Sequence, residues 1–344
     1  MDENINKIAG DILITACHMG NESVVNDIMS EIKKYGIDIN KIGNLGETAL
    51  TSACIGGNFP AIKILIANGA DVNIKNKYGE TAIYKACRHG NINIVKYLIE
   101  NKADINYVRI DSCIFTTIFN GHTEIAKLLI ENNIDINAKD DIGNTILTYA
   151  CDNHDYDLVK FLIGKIDIES KNNYGETALA VTCKCREFEM CRESSNRSKC
   201  SEKTLKILDD YVNIFKLLVE HGANINSISD LGLSCMMIAC QYENIDIVRE
   251  LILKGADINY VNKNKMTAFL YSLNDETKQN AKMILSMGYD YSEDIKQIND
   301  LDKEFVTTYV KSDEYITVKD NIFQPTAANI FSTIVYVSDD YLRM

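Results

Sequence analysis

Tyr78-Gly79-Glu80-Thr81-Ala82 recurs, letter for letter, as Tyr174-Gly175-Glu176-Thr177-Ala178, 96 positions further on. A catalytic motif is needed once, whereas a unit stacked on copies of itself must rewrite its turn and its helix start each time, so the duplication points to repetition. Just before each copy stands a short aspartate-rich segment, and that segment runs through the chain as Ile37-Asp38-Ile39-Asn40, Asp71-Val72-Asn73, Asp104-Ile105-Asn106, Asp135-Ile136-Asn137, Asp167-Ile168-Glu169, Asn224-Ile225-Asn226, Asp257-Ile258-Asn259 and Asp290-Tyr291-Ser292. The last residues of these segments are 33, 33, 31, 32, 57, 33 and 33 positions apart, a period of 33 with one insertion of 24 residues. Eight copies at a fixed period define a solenoid, in which each unit buries its apolar face on its neighbours.

One copy shows the grammar of the unit. Thr81 suits a helix N-cap, Ala82 to Cys87 make a short first helix, and Gly90 punctuates a turn. A second helix follows, with Ile94, Val95, Leu98 and Ile99 on one face at helical spacing. The cap position is filled in register by Asp11, Thr48, Thr81, Ser112, Thr145, Thr177, Ser234 and Thr267, each able to accept from an orphan helix N–H. Six residues after the cap stand Cys17, Cys54, Cys87, Ile118, Cys151, Cys183, Cys240 and Leu273, so six of the eleven cysteines share one site. A free cysteine there acts as a small buried hydrophobe that lets helices pack closely.

This pattern of Gly-x-Thr-Ala-Leu-x-x-Ala-Cys, a Gly-Asn turn, Ile-Val-x-x-Leu-Ile and Gly-Ala-Asp-Ile-Asn resembles the ankyrin repeat, over roughly residues 10–299. The resemblance implies an all-α solenoid of helix-turn-helix units with projecting hairpin loops, a concave face, and protein binding as its general activity. The chain departs from the family where Thr-Pro-Leu-His is expected: it has Thr48-Ala49-Leu50-Thr51, Thr81-Ala82-Ile83-Tyr84 and Ser234-Cys235-Met236-Met237, and only Pro60 and Pro325 occur in all. Each missing proline leaves the unfolded chain more freedom, at a cost of about 0.4 to 1 kcal/mol.

The copies break step in places. The first has a longer stretch between Cys17 and Asn40, which predicts a second helix one turn longer and an end cap. The fourth loses two residues in its hairpin at Tyr107-Val108-Arg109-Ile110, which predicts a blunted finger. The insertion falls at residues 184–210 of the sixth copy; Ser201 reads as a helix N-cap and the residues after it as a backward extension of the second helix, with residues 184–200 as a loop. After Asn299 the period stops: residues 300–320 read as a helical cap and residues 321–344 as a tail of unassigned role.

Composition bounds the chemistry. At 344 residues and 46% hydrophobic content the chain folds, and with no apolar run of 18 residues and no basic-apolar leader it reads as intracellular, in the cytoplasm or the nucleus. A net charge of -13 opposes nucleic acid and anionic membranes as partners. Eleven cysteines is an odd number in a chain without a secretory leader, so no disulfide framework is expected. Cys183, Cys185, Cys191 and Cys200 are the sharpest metal candidates, but they lack the usual zinc knuckle and Cys183 already belongs to the packing site. His18, His89, His122 and His154 fall in or beside the interhelical turns and His221 lies near a helix C-terminus, so they read as turn and terminus chemistry. No nucleophile triad, phosphate loop or zinc-protease motif is present, so no enzyme activity, metal, cofactor or small-molecule substrate is expected.

Packing leaves one set of residues unused. Immediately before the hairpin glycine stand Leu45, Tyr78, Ile142, Tyr174 and Leu231, apolar or aromatic residues at a position that the resemblance places on a fingertip. A row of them at repeat spacing makes a candidate contact strip, joined on the concave side by Arg88, Gln241 and Tyr242. The competing account is packing between adjacent fingers. The expected function is therefore a protein-binding scaffold; the alternative is a substrate adaptor or effector whose C-terminal tail recruits other machinery.

Overall fold

The computed structural model describes residues 3–106, 112–184, 202–274 and 278–312. Among these residues the regular structure is helical, and it alternates short and longer helices at the period of the sequence. Contacts divide the chain into two compact units, Met1–Asp141 and Ile142–Met344.

In the first unit, α1 (Glu3–Met19) and α2 (Glu22–Tyr35) are followed by three pairs: α3 (Ala49–Ile55) with α4 (Phe59–Ala67), α5 (Ala82–Arg88) with α6 (Ile92–Glu100), and α7 (Cys113–Phe119) with α8 (Thr123–Glu131). The first helices form one layer, α1 on α3 on α5 on α7, and the second helices another, α2 on α4 on α6 on α8. In the second unit the pairs are α9 (Ile146–Asp152) with α10 (Tyr156–Leu162), α11 (Ala178–Thr182) with α12 (Glu202–Glu220), α13 (Cys235–Gln241) with α14 (Ile245–Leu253), and α15 (Ala268–Ser272) with α16 (Gln279–Ser286). A 3₁₀ turn, Asp294–Lys296, and α17 (Asp300–Val310) close it.

The caps explain where the first helices start. Thr48, Thr81, Thr145, Thr177, Ser234 and Thr267 each accept from the backbone N–H three residues on, and each such cap is worth about 1 kcal/mol. Three residues after the cap, Thr51 and Thr148 Oγ1 accept from the Thr48 and Thr145 backbone N–H and complete reciprocal capping boxes. Two of the eight expected caps behave otherwise. Ser112 stands at the N-cap of α7 without a side-chain cap bond. Asp11 is not a cap: α1 begins at Glu3, and the Asp11 carboxylate accepts from Asn44 N at 2.9 Å and from Asn44 Nδ2.

Aspartate and asparagine of the recurring segment divide two tasks. Asp38, Asp71, Asp104 and Asp135 each accept from the N–H two residues on, which fixes the turn. The asparagine then reaches the next repeat: Asn40, Asn73 and Asn106 Oδ1 accept from Asp71, Asp104 and Asp135 N at 2.8 to 2.9 Å. In the second unit Glu169 and Asn226 do the same for Asn224 and Asp257 at 2.9 Å. These bonds require a neighbour one period away, so the motif recurs because the stacking does.

The six cysteines of the packing site are all 0% exposed, beside Ile118 and Leu273 at the same position. Burial pushes the Cys17 and Cys151 thiols up to about 12 and raises those of Cys54 and Cys240 further. The long α2 of 14 residues agrees with the expected extra turn, and the 19-residue α12 with the expected backward extension. That extension packs: Ile207, Leu208 and Tyr211 are buried, and Tyr211 Oη donates to Asp152 O at 2.9 Å. The blunted finger at 107–110, the N-cap Ser201, the loop 185–200 with Cys185, Cys191 and Cys200, and the tail 321–344 lie outside the described residues. The expected cap at 300–320 begins with the helix Asp300–Val310, and its residues 313–320 lie outside the described residues.

Candidate functional site

Three of the fingers are tight hairpins built by one asparagine side chain. In the second finger Asn76 Oδ1 accepts from Tyr78 N at 2.9 Å and from Glu80 N at 2.8 Å, while Asn76 N donates to Glu80 O at 2.8 Å. Asn172 repeats this with Tyr174 N at 2.9 Å and Glu176 N at 3.0 Å, and Asn262 repeats it with Asn264 N and Met266 N at 2.9 Å. The residue before the glycine thus spends its N–H on the turn, and the turn has no use for its side chain. The glycine is needed twice over at Gly175: its φ is +71°, and a Cβ there would lie 2.6 Å from Asp230 N of the next finger.

Adjacent fingers are joined by backbone bonds at this same level. Within the first unit Lys77 N donates to Gly46 O at 2.7 Å; within the second, Asn173 N donates to Ile142 O and Asp230 N to Tyr174 O, both at 2.9 Å. Finger-to-finger packing is therefore real, but the main chain makes it. The side chains stay in solvent: Leu45 is 78% exposed, Tyr78 52%, Ile142 44%, Tyr174 49% and Leu231 68%. Tyr78 does lean on its neighbour, with its ring edge 3.3 Å from where a Cβ on Gly46 would stand.

The glutamate of the duplicated stretch is the residue that sequence reasoning missed. Glu80 and Glu176 are buried, and each accepts an Asn Nδ2–H from its own turn, Asn76 at 2.9 Å and Asn172 at 3.2 Å. Each carboxylate is neutralised by a lysine, Lys85 at 2.5 Å from Glu80 and Lys184 at 2.5 Å from Glu176. Lys85 also reaches Glu47 at 3.3 Å, and Arg88 lies 3.9 Å from Glu80. The cluster locks the finger to the first helix, so the duplicated stretch combines turn, ion pair, cap and helix start with one outward aromatic. The paired lysine sits five residues on in one copy and eight in the other, so no common spacing marked it.

The concave-side candidates fall as follows. Arg88 is exposed at the end of α5 and beside the second finger through Glu80, in the first unit with Leu45 and Tyr78. Gln241 ends α13 exposed, and Tyr242 is its half-buried C-cap, in the second unit with Ile142, Tyr174 and Leu231. Among the described residues no cluster of three histidine, cysteine or acidic side chains is placed to hold a metal ion, and no helix is long and apolar enough to cross a membrane.

The family model for ankyrin repeats matches the chain in three copies, at residues 12–109, 112–193 and 205–295. The chain belongs to the ankyrin-repeat family, and its fold is an all-α repeat solenoid. Ankyrin repeats are generally protein-protein interaction modules and typically non-catalytic. No curated protein matches the chain.

Proposed function

We propose that the chain is an intracellular scaffold that binds a partner protein along its fingers and inner-helix ends, without catalysis. In this reading residues 1–299 are the binding array, and residues 300–344 its cap and tail. The contact residues are Leu45, Tyr78 and Arg88 in the first unit, and Ile142, Tyr174, Leu231, Gln241 and Tyr242 in the second. The observation that carries the reading is the division of labour at the fingertip. Main-chain bonds join the fingers, and a buried ion pair holds those of Tyr78 and Tyr174, so their exposed apolar side chains are left over by folding. Exposed aromatic side chains on a rigid support are what an interface anchor requires.

Proximity labelling in the native cell identifies the partner, and the double change Tyr78→Ser with Tyr174→Ser then tests the surface. Truncating a tyrosine anchor costs about 2 kcal/mol or more of binding, whereas an exposed loop change alters stability by less than about 0.5 kcal/mol. Binding weakened by more than about tenfold at an unchanged melting temperature is the expected result. Unchanged affinity removes the tyrosines from the interface, and a large drop in melting temperature assigns them to finger packing.

A further inference from the structure

The first two fingertips are cationic, a character they share with residues 170–175 and 260–265, which hold Lys171, and Lys263 with Lys265, without a carboxylate. Residues 41–46 and 74–79 contain Lys41, Lys75 and Lys77 and no carboxylate, on a chain of net charge -13. The residue next to the apolar tip is Lys77 before Tyr78, but Asp141 before Ile142 and Asp230 before Leu231. Three acidic groups at the base of these two fingers are already engaged. Asp11 accepts from Asn44, Glu80 from Lys85, and Glu47 from Lys85 and Asn76. Lys85 and Arg88 balance Glu47 and Glu80, while Asp11 keeps its charge beside the neutral Asn44, so the three fingertip lysines stand over a base that carries one net negative charge.

Geometry makes the two tips one surface. The Lys77 N to Gly46 O bond of 2.7 Å clamps them together, and a Cβ on Gly46 would stand 2.8 Å from Lys77 Cβ, 2.9 Å from Lys77 Cδ and 3.3 Å from Tyr78 Cε2. The lysine stem and the tyrosine edge therefore both cover Gly46, directly beside the exposed Leu45. The result is an apolar centre, Leu45 and Tyr78, with Lys77 at its margin and Lys41 four residues before Leu45, its stem over Gly10 of α1. Such a margin selects partners and speeds encounter through charge complementarity, while the apolar centre holds them.

We propose that the paired fingertips 41–46 and 74–79 dock an acidic segment of a partner protein, with an apolar side chain of that segment on Leu45 and Tyr78 and its carboxylates on Lys41 and Lys77. The proposal rests on the finger-edge reading above and assigns the partner's chemistry.

The test is selection of a phage-displayed library of random peptides, each about 16 residues long, on the full chain. A selected peptide is then titrated against the native protein, Leu45→Ser/Tyr78→Ser, and Lys41→Glu/Lys77→Glu. We expect Asp and Glu interleaved with Leu and Phe among the binders, an affinity that falls as sodium chloride rises, and roughly tenfold or greater weakening by either double change at unchanged melting temperature. Lys77→Gln, which keeps a stem over Gly46, should lose a smaller share of the affinity. Neutral or basic binders that depend on Leu45 and Tyr78 but not on the lysines overturn the acidic partner while keeping the finger edge as a contact surface. Binders indifferent to both double changes, or no enrichment at all, overturn the proposal and leave the edge without support. Lysine-dependent binding of phosphatidylserine vesicles or a single-stranded oligonucleotide, without selection of acidic peptides, assigns the lysines to phosphate and also overturns it.

Discussion

At the scale of single residues, small changes of chemistry at one structural position separate what the fold needs from what it tolerates. Six cysteines fill the packing site because a thiol is small and apolar while protonated. Ionising one in place is what burial forbids, and that sets a pH limit. The ordinary thiol value is 9.0, and Cys17 and Cys151 are pushed up to about 12. Above the ordinary value the unfolded chain loses the proton while the folded chain keeps it, so stability falls as pH rises, by about 1.4 kcal/mol per pH unit for each such thiol. Urea melts at about pH 8 and about pH 10 should show a steep alkaline loss, and Cys54→Ala should flatten it by one thiol's share. An unchanged slope in that variant would show that Cys54 does not set the limit. Asn280 is the opposite case, a polar residue where packing wants none. It stands 33 positions after Ile247, at 0% exposure, and neither its Nδ2 nor its Oδ1 has a hydrogen-bond partner among the described residues. Leaving a buried amide unpaired costs about 1 to 3 kcal/mol, so Asn280→Ile should raise the urea midpoint. A lowered midpoint would mean that the amide is satisfied in solution.

At the scale of elements, each helix is placed by what it stacks against, and the long α12 shows how far that reaches. Its added turns bury Ile207, Leu208 and Tyr211, and the Tyr211 ring stands 5.7 Å from His154, beside the turn that joins α9 to α10. Leu208→Ala should therefore cost about 2 to 5 kcal/mol. A loss below about 0.5 kcal/mol, the figure for an exposed site, would make the extension a solvated appendage. Helices of this kind are legible in the sequence, because caps, apolar faces and the 33-residue period all repeat and each copy checks the others. Asp11 was misread for the same reason. Register puts it at a cap, but the residues before it are helical, with α1 running back to Glu3, and the freed carboxylate takes Asn44 instead. The fingertip positions were legible, since a residue that recurs before a turn glycine must face outward. The buried Glu80 and Glu176 were not, because a carboxylate in a loop ordinarily reads as solvated and its lysine comes from a different register in each copy.

At the scale of the whole molecule, the repeat dictates how stability is distributed. Leu98 on α6 and Leu251 on α14 are equivalent, both 0% exposed, and lie in different compact units. Helix α6 touches α4, α5 and α8, and α14 touches α12, α13 and α16. With only near neighbours in contact, stability is a sum of repeat terms and interface terms, so a defect weakens its own neighbourhood first. Each leucine truncated to alanine should cost about 2 to 5 kcal/mol. Amide hydrogen exchange is the discriminating measurement, since it reads opening region by region. Leu98→Ala should accelerate exchange through α3 to α8 and leave α13 to α16 near native rates, and Leu251→Ala should do the reverse. Equal acceleration of both sets by either variant would instead show one cooperative block, and the finger edge would then be held by the entire chain rather than by the repeats beneath each tip.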